Sequence, residues 1–392
     1  DFLRTAGAAT VGSLLGASET VGKISDSSGK ELSVVPTRPF GNTGVRVSVL
    51  SLGGMFDIPS NQLLLKQALK WGVTFWDTAD CYVGGRSERG VGKFLGKYPE
   101  AREKIFLVTK SDARDPGGMT RLLNRSLERM NTNYVDLYFV HGISSIDELD
   151  DDTRAWAKKA KAEAKIKLFG FSTHSNMEEC MLDAAKLGWI DGIMMTYNYR
   201  LMNSNKMKEA VAACREAGIG LTAMKTQGGW SYGSSSAAKL VDTFIEKGFT
   251  DNQAKLKAVW TNPEIASICS QMPNLTILMS NVAAALDRTS LSAGDLHLLD
   301  QYARETASNY CAGCSNICQT ALAEVVPVAD VMRYLMYYES YGDYERARSL
   351  YGKLPPATRK RLGNIDYSLA ENRCPQGIPI ARAMRKAQRV LT

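Results

Sequence analysis

Short apolar runs alternate with longer amphipathic stretches through residues 47–272, and the alternation repeats eight times. The runs at 47–53, 74–77, 105–110, 135–141, 168–172, 192–197, 218–224 and 266–272 are rich in Val, Ile, Leu, Phe and Met, as buried strands are. Between them, 61–71, 86–95, 119–130, 152–164, 177–187, 205–217 and 254–261 place apolar residues at three- and four-residue spacing, the period of a helix with one buried face. Strand and helix alternating in this way predict an α/β fold with parallel strands, and eight units predict a closed (β/α)8 barrel. No Gly-x-Gly-x-x-Gly follows the first run, which argues against an open-sheet dinucleotide-binding domain.

A barrel needs about 250 residues, so a chain of 392 residues has room for more. The expected division is a leader and linker at 1–33, the barrel at 34–300 and a small helical unit at 301–392. Asp1, Phe2, Leu3 and Arg4, the weakly apolar 6–17 and the polar 18–30 resemble the later part of a twin-arginine export signal. That resemblance implies a periplasmic or otherwise exported protein; the alternative is a flexible cytoplasmic N-terminus. No run of 18 apolar residues occurs, so no transmembrane segment is expected.

Composition changes this picture little, since 44% apolar and 23% charged residues are ordinary for a globular chain. Charge adds one detail. The formal net charge is +7, and residues 301–392 hold 13 Lys and Arg against 8 Asp and Glu. The tail's basic excess is read as solvated helix faces or as a docking face for an acidic protein, such as a redox partner, or for an anionic surface. No aromatic and basic interleaving points to nucleic acid.

Candidate chemistry lies at the C-terminal ends of the runs, where a barrel keeps its active site. Asp77, Tyr82, Lys110 and His141 all stand there. The stretch 38–53, the motif 77–82, Thr109 with Lys110, His141 and the stretch 170–174 resemble the aldo-keto reductases, with the likeness running from about 36 to 300. The resemblance implies an oxidoreductase. Its barrel would bind NADP or NAD in extended form at the mouth and move hydride to or from a carbonyl or alcohol substrate, a small molecule such as a sugar or polyol.

Elementary chemistry supports the same four residues. A carbonyl accepting hydride develops alkoxide charge and needs a proton donor within hydrogen-bond reach. Tyr82 is the candidate acid. A free phenol has a pKa of about 10, and a neighbouring ammonium lowers it by favouring phenolate. Lys110 is expected to supply that charge, Asp77 to hold the ammonium, and His141 to donate to the carbonyl oxygen. Each residue alone also suits a structural role.

By the resemblance, Ser172 and Thr173 stand where a Ser-Asn pair holds the carboxamide, and Met194 replaces a glutamine. Met224 replaces the aromatic that stacks on the nicotinamide. Ser270, Gln271 and Asn281 fall where pyrophosphate and adenine bind. No Lys or Arg occurs between Ser270 and Arg288, so an NADP preference lacks its usual cation. His174 follows the fifth run and is either a contact at the mouth or a loop residue. Cys81, Cys180, Cys214 and Cys269 are read as buried thiols.

The tail carries a second motif. Cys311, Cys314 and Cys318 cluster as soft ligands do, and Cys374 follows much later. Residues 322–332 align with 374–384 at a constant offset of 52, so the tail resembles a duplicated two-cluster ferredoxin. In such ferredoxins three cysteines of one run join the fourth of the other. Here Leu322 replaces the first run's fourth cysteine, and Gly363, Asp366 and Ala370 replace the second run's first three. Crossed over, Cys311, Cys314, Cys318 and Cys374 make one complete ligand set, and one [4Fe-4S] cluster is expected; structural zinc and disulfides are the alternatives. For the chain as a whole, the competing readings are a non-enzymatic scaffold on a degenerate barrel and a lyase or epimerase that uses bound nicotinamide.

Overall fold

The computed structural model describes residues 23–25, 31–228, 233–322 and 326–392. Eight parallel strands, β1 (Leu50–Gly53), β2 (Phe75–Asp77), β3 (Phe106–Ser111), β4 (Val135–Ile143), β5 (Ile166–Thr173), β6 (Gly192–Thr196), β7 (Gly220–Met224) and β8 (Ile265–Gln271), pair in sequence order and close as β8 pairs β1. All eight expected runs are strands. The first is split: Arg46–Ser48 pairs antiparallel with Thr37–Pro39 beneath the barrel, and only Leu50–Gly53 enters it. Ser48 makes the corner, its hydroxyl donating to the Leu50 carbonyl and accepting from the Thr74 and Phe75 amides.

Strand alternation sorts the side chains into two layers. Phe75, Phe106, Val108, Leu137, Phe139, Leu168 and Met194 fill the barrel interior. Trp76, Leu107, Tyr138, Val140, Phe169 and Ile193 face the surrounding helices. Phe40 seals the floor: a methyl group added at Gly192 or Gly220 would stand 2.7 or 2.5 Å from its ring. Arg38 braces the same end, donating to the carbonyls of Trp260, Asn262 and Ile265.

The outer helices are α1 (Gln62–Lys70), α2 (Arg86–Lys97), α3 (Pro116–Met130), α4 (Asp151–Ala162), α5 (Met177–Leu187), α6 (Asn205–Glu216), α7 (Ser235–Glu246), α8 (Asp251–Trp260), α9 (Leu275–Leu286) and α10 (Ala293–Glu305). Helices α7, α9 and α10 were not assigned from periodicity. Helix α10 runs through the expected domain boundary at 300, because Leu298, Leu299 and Tyr302 pack with Leu240 and Phe244 of α7. The linker expected through residue 33 likewise contains a short ladder, Lys23–Ser25 paired with Glu31–Ser33. Residues 1–22, including the proposed export-signal remnant, lie outside the described residues.

The tail is wholly helical among the described residues: α11 (Ser315–Gln319), α12 (Val328–Ser340), α13 (Tyr344–Gly352), α14 (Pro356–Arg361), α15 (Ser368–Arg373) and α16 (Ile380–Val390). The repeat is visible in three dimensions. Helices α12 and α16 start at positions 52 apart, each after a proline N-cap at similar angles. Val331, Tyr351, Leu362, Ala370, Met384 and Ala387 form the tail's own core.

The tail is tied to the barrel mouth beside β5. The Asn176 amide donates to the Gly313 carbonyl, and the Asn176 side-chain oxygen accepts from the Ser315 hydroxyl and the Asn316 amide. Gly313 is required here: its φ is +82°, and a Cβ would stand 2.3 Å from the His174 carbonyl oxygen. Among the described residues no helix is long and apolar enough to cross a membrane.

Candidate active site

Alternation that points Phe106 and Val108 inward also points Lys110 inward at the end of β3, and it does the same for Asp77 on β2. The two meet. Lys110 Nζ donates to Asp77 Oδ1 at 2.5 Å and to the Thr78 carbonyl at 2.9 Å, and lies 3.3 Å from the Tyr82 hydroxyl. Tyr82 is not on a strand; it opens a tight turn, Tyr82–Gly85, in which Val83 adopts φ 49°. For a β-branched residue that is a strained backbone. Its ring meets the His141 ring edge to face, with centroids 5.9 Å apart. The four expected residues thus converge at one site.

Burial sets their charge states. It penalises the Lys110 ammonium, but Asp77 and Tyr82 outweigh that penalty and the net pKa is raised, so Lys110 is charged. Tyr82 departs from expectation. Burial pushes its pKa up, and the opposing pull of Lys110 and Arg346 does not reverse this, because Asp77 already neutralises much of the lysine's field. The phenol is therefore held as a proton donor.

His141 also departs from its expected role. Its Nδ1 lies 3.0 Å from Asp112 Oδ1, and a carboxylate can only accept, so Nδ1 carries the hydrogen. Burial lowers the His141 pKa despite that hydrogen bond, which leaves the ring neutral near pH 7. A neutral ring with Nδ1–H has a lone pair at Nε2. His141 is thus an acceptor toward the mouth, where the sequence reading made it a donor.

A cavity of about 330 Å³ opens over the quartet, lined by Asp77, Tyr82, His141 and Met194 with residues from β7, β8 and the tail. Of the expected cofactor residues, Met194, Met224, Ser270 and Gln271 line it. Asn281 is buried and donates to the Ser270 hydroxyl. Ser172 is buried and its hydroxyl accepts from the Gly142 amide. Thr173 is not among the lining residues; its hydroxyl donates to the Ser175 carbonyl at 2.7 Å, closing the turn after β5. His174 lines the cavity. Cys81 is exposed, not buried as expected, and lies 3.8 Å from His141 Nδ1.

Three groups at the mouth were not picked out from sequence. Asp112 lies two residues beyond Lys110, so its strand-end position was a usable signal. Lys225 directly follows Met224 at the end of β7. Arg346, on α13, has a guanidinium 5.6 Å from the Tyr82 ring centroid, and nothing in its local sequence indicates that.

The four tail cysteines line one apolar cavity with Ile317, Val328, Met332, Ile378 and Ile380. All eight cysteines of the chain are free thiols. Burial raises Cys311 to about 12 and Cys314 to about 11, and the other tail thiols add to both shifts. Among the described residues the only three or more His, Cys, Asp or Glu ligand atoms within 4.8 Å of one another belong to Cys81, Asp112 and His141. No three of the tail sulfurs therefore stand as close together as the roughly 3.8 Å that a tetrahedral zinc with bonds of about 2.3 Å imposes.

The profile of the aldo/keto reductase family matches residues 50–284. L-galactose dehydrogenase of Arabidopsis thaliana is 25% identical over 288 residues, covering 66% of this chain and 90% of that protein. An aldo-keto reductase of Fusarium vanettenii is 27% identical over 237 residues, covering 48% of this chain and 62% of its own length, which is less than two thirds. The holo aldo-keto reductase of Bacillus halodurans superposes with a TM-score of 0.56 at 22% identity, covering 68% of this chain and 95% of that one. A thermostable aldo-keto reductase solved with the inhibitor epalrestat gives 0.58 at 24% identity, covering 68% and 99%. These two structural likenesses establish the barrel.

Proposed function

Because the chain belongs to the aldo/keto reductase family, we propose that it is an NAD(P)-dependent oxidoreductase interconverting a carbonyl and an alcohol. One observation supports this above the others: Lys110 Nζ bridges Asp77 and the Tyr82 hydroxyl in a buried cluster at the barrel mouth. A structural ion pair has no need of a phenol as third partner. A bound nicotinamide would supply hydride to the substrate carbon or take it away, and Met194, Met224, Ser270 and Gln271, which line the cavity, would hold it.

This chain's own residues manage the proton. When a carbonyl is reduced, a C–H and an O–H bond form; Tyr82 gives the O–H proton, and the phenolate left behind is stabilised by Lys110. In oxidation Tyr82 must take that proton back. His141 Nε2, as an acceptor, suits an alcohol hydroxyl and repels a carbonyl lone pair. The resting site is therefore matched to the alcohol form of the substrate.

The tail is proposed to hold one [4Fe-4S] cluster on Cys311, Cys314, Cys318 and Cys374, for electron transfer or as a structural staple. Four soft donors around an apolar cavity fit such a group. An exported location and a redox partner at the basic tail complete the proposal.

Steady-state kinetics of Tyr82→Phe test the chemistry: turnover should fall by about 10²-fold or more, and unchanged turnover would refute the assignment. Iron and acid-labile sulfide, measured on anaerobically purified full chain, should each approach about four per chain. Stoichiometric zinc in their place would reject the cluster.

A further inference from the structure

Cations gather at the mouth without matching anions. The cavity over the quartet is lined by Lys225, from the end of β7, and by Arg346, from tail helix α13; its one lining carboxylate is Asp77, already engaged by Lys110. Lys225 Nζ has His174 Nδ1 at 2.9 Å and shares a side-chain hydrogen bond with the Tyr337 phenol, whose ring centroid is 5.5 Å away; neither partner is a carboxylate. An ammonium only donates, so His174 accepts through Nδ1. Burial pushes the His174 pKa well below its ordinary value, and Lys225 adds to that, so the imidazole is neutral.

Arg346 is equally under-used. Its guanidinium touches the Met55 sulfur and stacks near Tyr82 and Tyr337, with ring centroids 5.6 and 4.8 Å away. Its Nε is a buried donor with no hydrogen-bond partner. A buried donor left unpaired calls for an explanation, and a ligand oxygen seated at the cavity wall supplies one. No carboxylate pairs with Lys225 or Arg346 among the described residues.

The neighbouring cavity, about 280 Å³, shares His174 and Lys225 with the first and adds Arg333, Arg382 and Lys386. There Lys386 is paired with Glu339 and Arg333 with Asp330. Two of the three cations added there are thus satisfied, while Arg382, on the far side from Tyr82, shares with Lys225 and Arg346 the want of a carboxylate.

We propose that Lys225 and Arg346 form an oxyanion clamp and that the substrate is a hydroxy acid or oxo acid whose carboxylate they grip. This deepens the carbonyl–alcohol reading and rests on it. A guanidinium beside the Tyr82 ring puts the carboxylate within a few bonds of the reacting carbon. The clamp takes one cation from the barrel and one from the tail, so a bound carboxylate bridges the two. Tyr337, which burial alone would make less acidic, is brought to about 8 by Lys225, Arg333 and Arg346. An oxyanion among these cations relieves that pull.

The test uses the full chain as isolated, with two hydroxy acids of different length, mandelate and 4-(hydroxymethyl)benzoate, each against its methyl ester. By calorimetry at least one acid should bind about 10-fold or more tighter than its ester, the worth of a charge-assisted hydrogen bond. In Lys225→Met and Arg346→Met that ratio should fall toward one, and Lys225→Arg should keep it. Ultraviolet titration should show the Tyr337 phenol moving to higher pH with the acid bound. Equal binding of acid and ester in both pairs, or a ratio that both methionine variants leave intact, overturns the clamp. So does a loss of NADPH binding in those variants with acid selectivity unchanged, which would give the cations to the dinucleotide phosphates. Turnover of the same probes is read separately: selective binding with no oxidation of either acid refutes the hydride-transfer reading and leaves the anion site standing.

Discussion

Asp112 Oδ1 accepts from His141 Nδ1 at 3.0 Å, from a position at the solvent-facing rim of the barrel mouth. The contact fixes which ring nitrogen carries hydrogen and leaves the other as an acceptor. Asp112 also raises the His141 pKa against the larger lowering by burial. Asp112→Asn removes that support, so the His141 pKa falls further and the acid limb of the rate profile moves to lower pH. Turnover should drop by about 10²-fold, because an asparagine amide can hold either tautomer. A pH–rate profile of the variant that overlays the native one would show that Asp112 does not orient the ring.

Asp77→Asn leaves the Lys110 ammonium in a site where both side chains are almost wholly buried. Breaking a buried pair from one side costs about 3–5 kcal/mol. Urea unfolding should show that loss, and the double variant Asp77→Asn with Lys110→Met should recover most of it. The wild-type contribution has a defined pH range. Lys110 has a raised pKa in the fold, so its stabilisation is complete below the unfolded value of about 10.4 and is lost as pH climbs through the folded value.

Lys225 acts in the opposite sense. Burial holds its pKa down to about 8 from 10.5, so between those values the unfolded chain binds more protons and stability rises with pH. Below about pH 8 the penalty is complete. Lys225→Met should therefore raise the melting temperature by about 2 °C or more at pH 7, and the gain should vanish near pH 10.5. Thermal melts across that range decide it, and destabilisation by the methionine would show that the charge is compensated within the fold.

Gly170 on β5 faces the Gly192 carbonyl oxygen, which a Cβ would approach to 1.8 Å. Two backbones cannot yield as a side chain does. Gly170→Ala should cost about 1–3 kcal/mol or more, read as a lower denaturation midpoint, whereas Gly142→Ala meets nothing within 4 Å and is strained only through its φ of +70°.

Much of the barrel was legible because its strands are marked twice, by apolar run and by position between helical periods. Val108 to Lys110 and Phe139 to His141 are each two-residue steps, so the interior layer and the reactive layer share one alternation. The Ser48 corner was missed because one apolar run continues across it, and only hydroxyl hydrogen bonds divide it. Helix α10 was missed at the 300 boundary because its apolar face is matched by α7, some sixty residues earlier. The 52-residue repeat was readable as spacing, and its helices do start in step.

Sequence by itself determined the eight-unit alternation, the convergence of Asp77 with Lys110, and the clustering of Cys311, Cys314, Cys318 and Cys374, since each follows from periodicity or from residues repeated at fixed offset. Tertiary structure alone decided the protonation of Tyr82, the tautomer of His141, and the meeting of Lys225 with Arg346 over the mouth. Those depend on desolvation and on fields from groups that lie from about thirty to more than one hundred residues apart, and no local pattern encodes such distances.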